Sequence, residues 1–431
     1  MAEDNNNNNN NIKTIRARGP RLYSIHVRMM HLPSEIVLEI LEILEYAEPH
    51  IAPFLRINTQ WFRCGISLVW QRVTSPPFLR VPKHRRQIYA SEIRHFSTQH
   101  FEEFGHLSWP KLESLCLNFL RRDKLALADI VSSLECYPGD RLRHLDLKGP
   151  FDPELLSFFT TSCPRLHSFS FSFPGPDLTP EAFLAFLQGT PSVSEIFIWS
   201  IGSPLVTSQT LNHLAGRKNL QFLSLDDDIG INTISAINEP CPFPHLQTLI
   251  VSVTEAALSS LVGMLRSVRK LSLTLVKPDD DEQNLYFDSI ALRHISNLVE
   301  LQDLKLFIMG EMRIRNEDLL SLKSLTQLKC LTIEGRAVPS LTAPSFEDAN
   351  FEELFTNFPR LEDLNLRLFY SALSTDSLKS LGRCCPSLRL CNTMDVCDLA
   401  AFRYEKTPLF LNLELLYIDS FTNLERMFSW R

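Results

Sequence analysis

The side chains whose type and spacing come nearest to metal chemistry are four cysteines, Cys384, Cys385, Cys391 and Cys397. Their spacing, C-C-x5-C-x5-C, lacks the C-x2-C pairs of structural zinc sites. Cys385 and Cys391 also fall at positions that a repeating apolar pattern assigns to a core, so neither metal nor cofactor is expected. His26, His31 and His50 have no nucleophile partner, and no Gly-x-Ser-x-Gly, His-Glu-x-x-His or phosphate-loop motif occurs. The acidic runs Asp226-Asp227-Asp228 and Asp279-Asp280-Asp281-Glu282 lack the spaced ligands and glycine of a calcium loop, and read as exposed turns after strands. Lys83-His84-Arg85-Arg86 reads as a solvated linker, with a nuclear address as the alternative. The chain is therefore read as non-enzymatic. What remains is contact chemistry, for which large rigid aromatics are the best-suited residues.

The aromatics that qualify sit in a repeated text. An apolar-x-x-apolar-x-apolar pattern occurs twelve times from Leu112 to Ile418 at spacings of 22 to 33 residues, as in Leu142/Leu145/Leu147, Leu220/Leu223/Leu225 and Leu361/Leu364/Leu366. Leu388/Cys391/Thr393 is its weakest copy. Between copies lie helical periodicities with cap residues such as Thr179, Thr254 and Thr375. Proline stands two residues before the first apolar residue in six repeats (Pro110, Pro164, Pro191, Pro244, Pro359, Pro386), where it ends a helix and turns the chain into a strand. A strand, a turn, a helix and a return loop fit this period. Strands that all run one way need crossovers, so the sheet is parallel with helices outside. Helices about 10 Å wide cannot stack at the roughly 4.8 Å strand spacing, so the array curves with the sheet inside.

Within each strand the residues between the apolar ones point away from the core. That places Phe197 and Trp199 on one strand, and Phe222 on the next, on the concave face as candidate substrate contacts; a long loop folded over them is the competing reading. Replacement of the usual Asn or Cys at position nine by Leu120, Pro150, Pro174, Ile201, Asp228 and Thr254 predicts an irregular solenoid.

In front of the array stands a short helical block. Pro33 precedes apolar residues at 36, 37, 40, 41 and 44, while Leu38 and Ile43 project elsewhere, so two faces of one helix are apolar. A block of about 45 residues is too small to bury both internally, and the spare face calls for a partner. Leu32-Pro33, the helix through Leu44, Trp61 and Trp70 resemble an F-box. The repeats at Cys163-Pro164-Arg165-Leu166 and Cys385-Pro386-Ser387-Leu388 resemble those of F-box proteins with leucine-rich repeats. Ile57-Asn58 stands where many members have Val-Cys, and Pro49 and Pro53 shorten or bend the second helix. The resemblance implies that Leu32, Pro33, Ile36, Ile40 and Leu44 dock on the Skp-family adaptor of a Skp–cullin–F-box ubiquitin ligase, while the repeats hold a protein substrate. Two alternatives stay open: Ile36, Ile40 and Leu44 only pack on Trp61 and Trp70, or the block merely caps a repeat scaffold or inhibitor by burying its spare face against residues 76–110.

Bulk properties set the frame. The 431 residues are 44% hydrophobic and 22% charged, with no apolar run of membrane-spanning length. Residues 1–90 carry 12 Lys/Arg against 7 Asp/Glu and the remainder 31 against 43, so the acidic repeat region is not expected to bind nucleic acid. Ten cysteines without a secretory leader, and no Asn-x-Ser/Thr sequon, suit reduced thiols and a cytoplasmic or nuclear life. The organisation expected is a disordered Asn-rich tail over 1–28, an F-box over 29–75, a connector with room for a capping repeat over 76–109, and an α/β leucine-rich-repeat horseshoe over 110–431.

Overall fold

The computed structural model describes residues 32–47, 51–120, 127–137, 139–200, 205–277, 286–336, 340–398, 402, 405 and 408–422. The expectations for the tail, for His26, His31, His50 and Ile201, for the 279–282 acidic run and for the Cys397 side chain lie outside the residues so described. The chain divides into two compact units, Met1–Val69 and Trp70–Arg431.

In the first unit, helix α1 (Ser34–Ala47) starts at Pro33, whose carbonyl accepts from the amides of Ile36 (3.1 Å) and Val37 (3.2 Å). Helix α2 (Thr59–Trp70) is capped by Asn58, whose Oδ1 accepts from the amides of Gln60 (2.9 Å) and Trp61 (3.0 Å). Gln60 also donates its side-chain amide to the carbonyl of Leu32, tying the two helix starts together. A small core of Val37, Leu41, Ile51, Leu55 and Ile66 fills the space between them. Gly65 lets the helices approach: a Cβ there would stand 2.8 Å from Leu41 Cδ1 and closer still to Leu55 Cδ2.

The second unit carries seventeen described strands. The first six are β1 (Arg72–Thr74), β2 (His95–Thr98), β3 (Ser114–Asn118), β4 (His144–Lys148), β5 (Ser168–Ser172) and β6 (Glu195–Trp199). Next come β7 (Phe222–Ile229), β8 (Thr248–Thr254), β9 (Lys270–Val276), β10 (Tyr286–Asp288), β11 (Asp303–Ile308) and β12 (Glu311–Arg313). The last are β13 (Cys330–Gly335), β14 (Leu341–Thr342), β15 (Asp363–Leu366), β16 (Leu390–Asp398) and β17 (Leu415–Thr422). Fourteen form one sheet in chain order, while β10, β12 and β14 pair in a second sheet of three. Every registered pair is parallel.

The register explains the repeat. Leu115, Leu145, Phe169, Ile196, Leu223, Leu249, Leu271, Leu304, Leu331, Leu364 and Cys391 stand side by side across eleven strands. All are buried, with at most 2% exposed. Each such side chain stabilises by about 1.5–3 kcal/mol, so the ladder is the spine of the unit. Helices Glu154–Ser162, Pro180–Gly189, Glu255–Met264, Asp348–Phe355 and Thr375–Cys384 cover this face, adding Phe159, Phe183, Leu258, Phe355 and Leu381 to the same core. The unit is a leucine-rich-repeat solenoid with a parallel inner sheet and outer helices.

Polar groups join the repeats where the usual asparagine ladder is missing. Ser192, Asn219, Ser267 and Asn412, each just ahead of a strand motif, donate to the carbonyls of Pro164, Pro191, Pro244 and Pro386 in the preceding repeat (2.9–3.1 Å). The buried Arg217 guanidinium donates to the carbonyls of Leu187 (3.0 Å), Thr190 (2.5 Å) and Val193 (3.0 Å), closing the end of helix Pro180–Gly189. Buried Asp318 accepts from Ser289 Oγ and Arg293 Nη2, both at 2.6 Å.

Several expectations are corrected. The boundary placed after residue 75 moves to Val69/Trp70, because Val73 and Phe96 pair in β1 and β2 as part of the long sheet. Trp70 packs on Tyr89 (centroids 4.4 Å) and Phe78 (5.8 Å) of the repeat unit. Lys83, His84 and Arg85 are exposed, as a solvated run would be, but they form a helical turn, and Arg86 is buried, donating to the carbonyls of Leu79 and Val81 at 3.0 Å. Asp226–Asp228 lie inside β7, at a bulge where its register with β8 shifts, and not in a turn after it. Ser374, not Thr375, caps its helix by accepting from the amide of Asp376, and Thr254 makes no side-chain cap bond.

Candidate functional site

On the sheet face turned away from the helices, β6 carries aromatic side chains between strands that carry hydroxyls. The register sets Asp146, Ser170, Phe197, Ser224 and Ile250 in one row across β4 to β8, and Lys148, Ser172 and Trp199 in the next. Small residues beside large ones leave a groove of about 530 Å³ lined by residues from β4 to β9. Six strands at the usual spacing span about 24 Å.

Phe197, Trp199 and Phe222 all stand on this face. Trp199 is 56% exposed and lines the groove with Phe197, whereas their neighbours Ile196 and Ile198 are 0% and 2% exposed in the core. Phe222 is half-buried and stacks on Phe197 with centroids 4.2 Å apart and planes at 29°. Of the pair, Phe197 lines the groove. No described loop covers Trp199. Phe173, at the end of β5, is also exposed; it adopts φ +56° and donates its amide to the carbonyl of Trp199 (2.8 Å), extending the ladder past the strand ends.

The charges of the groove came from no motif. Lys148 pairs with Asp146 at 3.2 Å, and that carboxylate outweighs the lowering effect of partial burial and holds the lysine above its usual range. The bulge in β7 separates the three aspartates. Asp227 turns aside to accept from the amides of Leu205 and Val206 (both 2.9 Å) and from Ser200 Oγ (2.5 Å). Asp228 accepts from Ser252 Oγ at 2.5 Å. Asp226 enters the groove one residue beyond the last registered pair, Ile198 and Leu225, next to Trp199. Desolvation, reinforced by Asp227 and Asp228, pushes its carboxyl above the ordinary carboxylate range. A bulge that re-aims a side chain leaves only a doubled acidic residue as its sequence trace.

The other candidate surface belongs to α1. Val37 and Leu41 fill the core of the first unit, while Leu32 (38%), Ile36 (42%) and Ile43 (62%) are exposed. Pro33 is exposed, and Ile40 and Leu44 are half-buried between the two faces. An apolar stripe therefore runs from Leu32 through Ile36 to Ile43.

Other features carry less. A cavity of about 730 Å³ beside β10 and β12 is lined by Tyr286, Arg313 and Arg315, but Arg315 is paired with Asp288 (3.2 Å) and Asp318 (3.8 Å). Burial pushes the Cys385 thiol up to about 12 and the Cys391 thiol up to about 11, which suits core residues in place of reactive or ligating thiolates. Among the described residues no helix is long and apolar enough to cross a membrane.

The fold of the second unit is that of a leucine-rich-repeat solenoid. No family model and no curated protein matches the chain. Among solved structures it is similar to a chain of the yeast Rad7–Elc1 complex, at 13% identity and a TM-score of 0.39, over 89% of this chain and 98% of that one. It is also similar to the TLR13–ssRNA13 complex (16%, TM-score 0.39, 78% of this chain, 54% of that one) and to a TDR receptor (15%, 0.35, 72%, 56%). The chain thus spans about half the length of the last two.

Proposed function

We propose that the chain is the substrate-recognition subunit of a Skp–cullin–F-box ubiquitin ligase. The helical block serves as the F-box, docking Leu32, Pro33, Ile36, Ile40 and Leu44 on a Skp-family adaptor and, through it, a cullin. The repeats hold a protein substrate on the sheet face that bears Phe197, Trp199 and Phe222. The observation that carries this reading is the exposed stripe on α1, because the opposite face of the same helix is already filled by Val37 and Leu41. Ile36 and Ile43 in water gain about 25 cal/mol for each Å² that a partner covers.

The mechanism is positional and non-catalytic. Holding the substrate at one end and the adaptor at the other raises the effective concentration of acceptor lysines beside the ubiquitin-carrying enzyme. The site of action is the cytoplasm, the nucleus or both. Affinity purification of the full chain followed by mass spectrometry tests the reading. Recovery of a Skp-family adaptor together with a cullin is the expected result. Recovery of neither leaves the alternative, a repeat scaffold or inhibitor independent of ubiquitin ligases.

A further inference from the structure

The groove across β4 to β9 has one carboxylate whose charge the protein leaves unanswered. Of the three aspartates in the β7 bulge, Asp227 receives three donors and Asp228 one, while Asp226 enters the groove with no described hydrogen bond or ion pair. The lysine at the far end does not answer it, because Lys148 is held by Asp146. The wall next to Asp226 is the exposed indole of Trp199, with Phe197 two residues earlier on the same face of β6. The lining also carries the hydroxyls of Ser170, Ser172, Ser224, Ser252 and Thr274, together with the exposed Ile250.

We propose that this groove binds an extended segment of the partner protein through an arginine side chain, its guanidinium laid on the Trp199 indole and hydrogen-bonded to the Asp226 carboxylate. A cation on an aromatic face and a carboxylate at its edge are two parts of one arginine site, since the planar guanidinium stacks and forms paired hydrogen bonds at once. The burial and the neighbouring Asp227 and Asp228 that push the Asp226 carboxyl up are offset when a cation arrives, whereas an anionic side chain would add to the repulsion. The hydroxyls of Ser170, Ser172, Ser224 and Thr274 line the path of the segment's main chain, while that of Ser252 is held by Asp228. A span of about 24 Å accommodates roughly seven extended residues. The identification rests on the reading of the sheet face as the substrate-holding surface, and it names the chemistry that surface selects.

The test uses the full chain and pools of fluorescent heptapeptides, random except at the centre, which is fixed as arginine, lysine, citrulline or glutamate. Citrulline keeps the shape of arginine and removes its charge. The arginine pool is expected to bind at least tenfold more tightly than the citrulline pool, with lysine between them and glutamate weakest. Asp226→Asn is expected to erase the arginine preference, and Trp199→Ala to weaken the arginine pool at least tenfold, both with unchanged thermal melting. Equal binding of arginine and citrulline pools, no binding of either, or an arginine preference that survives Asp226→Asn overturns the proposal. Adaptor binding is measured on the same samples. Adaptor bound without an arginine preference sinks this inference alone, and an arginine preference without adaptor binding sinks the ligase reading alone.

Discussion

The rings of Phe197 and Phe222 stack at 4.2 Å although the strand register sets Phe222 opposite Glu195 and Phe197 opposite Ser224. The contact is diagonal across two parallel strands, and it forms because Ser224 leaves the space directly beside Phe197 empty. Such diagonal pairs are within reach of aromatic side chains. The small residue is as much a part of the site as the rings.

Adjacent residues on β6 should therefore respond in opposite ways. Ile198→Ala empties a core position that is 2% exposed and is expected to destabilise by about 2–5 kcal/mol. Trp199→Ala, at a site 56% exposed, should change stability by no more than about 0.5 kcal/mol. Denaturant titration of the two variants decides it. If Trp199→Ala is the more costly change, the strand register is wrong by one residue.

Arg217 should behave as a structural clamp. Arg217→Ala removes the charged donor shared by the carbonyls of Leu187, Thr190 and Val193, which keep only longer bonds from the Thr190 amide (3.3 Å), the Val193 amide (3.3 Å) and the Asn219 side chain (3.2 Å). A hydrogen bond from a charged group contributes about 1.5–3 kcal/mol, so losing the guanidinium should destabilise by at least about 1.5 kcal/mol. Hydrogen exchange is expected to rise first at the end of helix Pro180–Gly189. Uniform exchange across the unit would argue against this role.

Gly149 ends β4 at φ +90°, and a Cβ there would stand 2.6 Å from the backbone amide nitrogen of Leu120. Gly149→Ala is thus strained by both torsion and contact, at a cost of about 1–3 kcal/mol. Thermal unfolding at unchanged or raised midpoint would show that the turn relaxes freely.

Asp348 provides a pH test. Burial alone would raise its carboxyl, but hydrogen bonds from the Ser374 hydroxyl, the Ser374 amide and the Ser377 hydroxyl outweigh that and hold it below the usual carboxylate range. A depressed folded-state value gives stability that is fully present above the unfolded value of about 3.9 and is lost as pH falls through the folded one. Asp348→Asn should therefore melt below the wild type at pH 7, with the gap closing below about pH 4. A gap independent of pH would mean that charge plays no part.

The repeated apolar triplets made most of the sheet legible, because a buried ladder needs large apolar residues at a fixed period. Strands β1 and β2 escaped that reading: Val73 stands in a three-residue strand, and Ile93, Phe96 and Thr98 lack the leucine triplet. The second sheet was invisible, since β10, β12 and β14 bury one residue each (Phe287, Met312, Leu341) and set up no period. Alternation placed Phe197 and Trp199 on the solvent face, whereas the β7 bulge breaks that alternation and so hid the separate fates of Asp226, Asp227 and Asp228. That α1 has two apolar faces was readable, with Ile43 on the spare one, but helical spacing grouped Ile36 with Val37 and Leu41 and set Leu38 on the spare face, whereas Ile36 is exposed and Leu38 is half-buried.

The apolar stripe on α1 is where the central claim is most exposed to test. Isothermal titration of the purified full chain with a purified Skp-family adaptor should give saturable one-to-one binding. Ile36→Asp should weaken it at least thirtyfold, about 2 kcal/mol, while the melting of the repeat unit stays the same. Undiminished affinity of Ile36→Asp, or no heat of binding with the unaltered chain, would contradict the account.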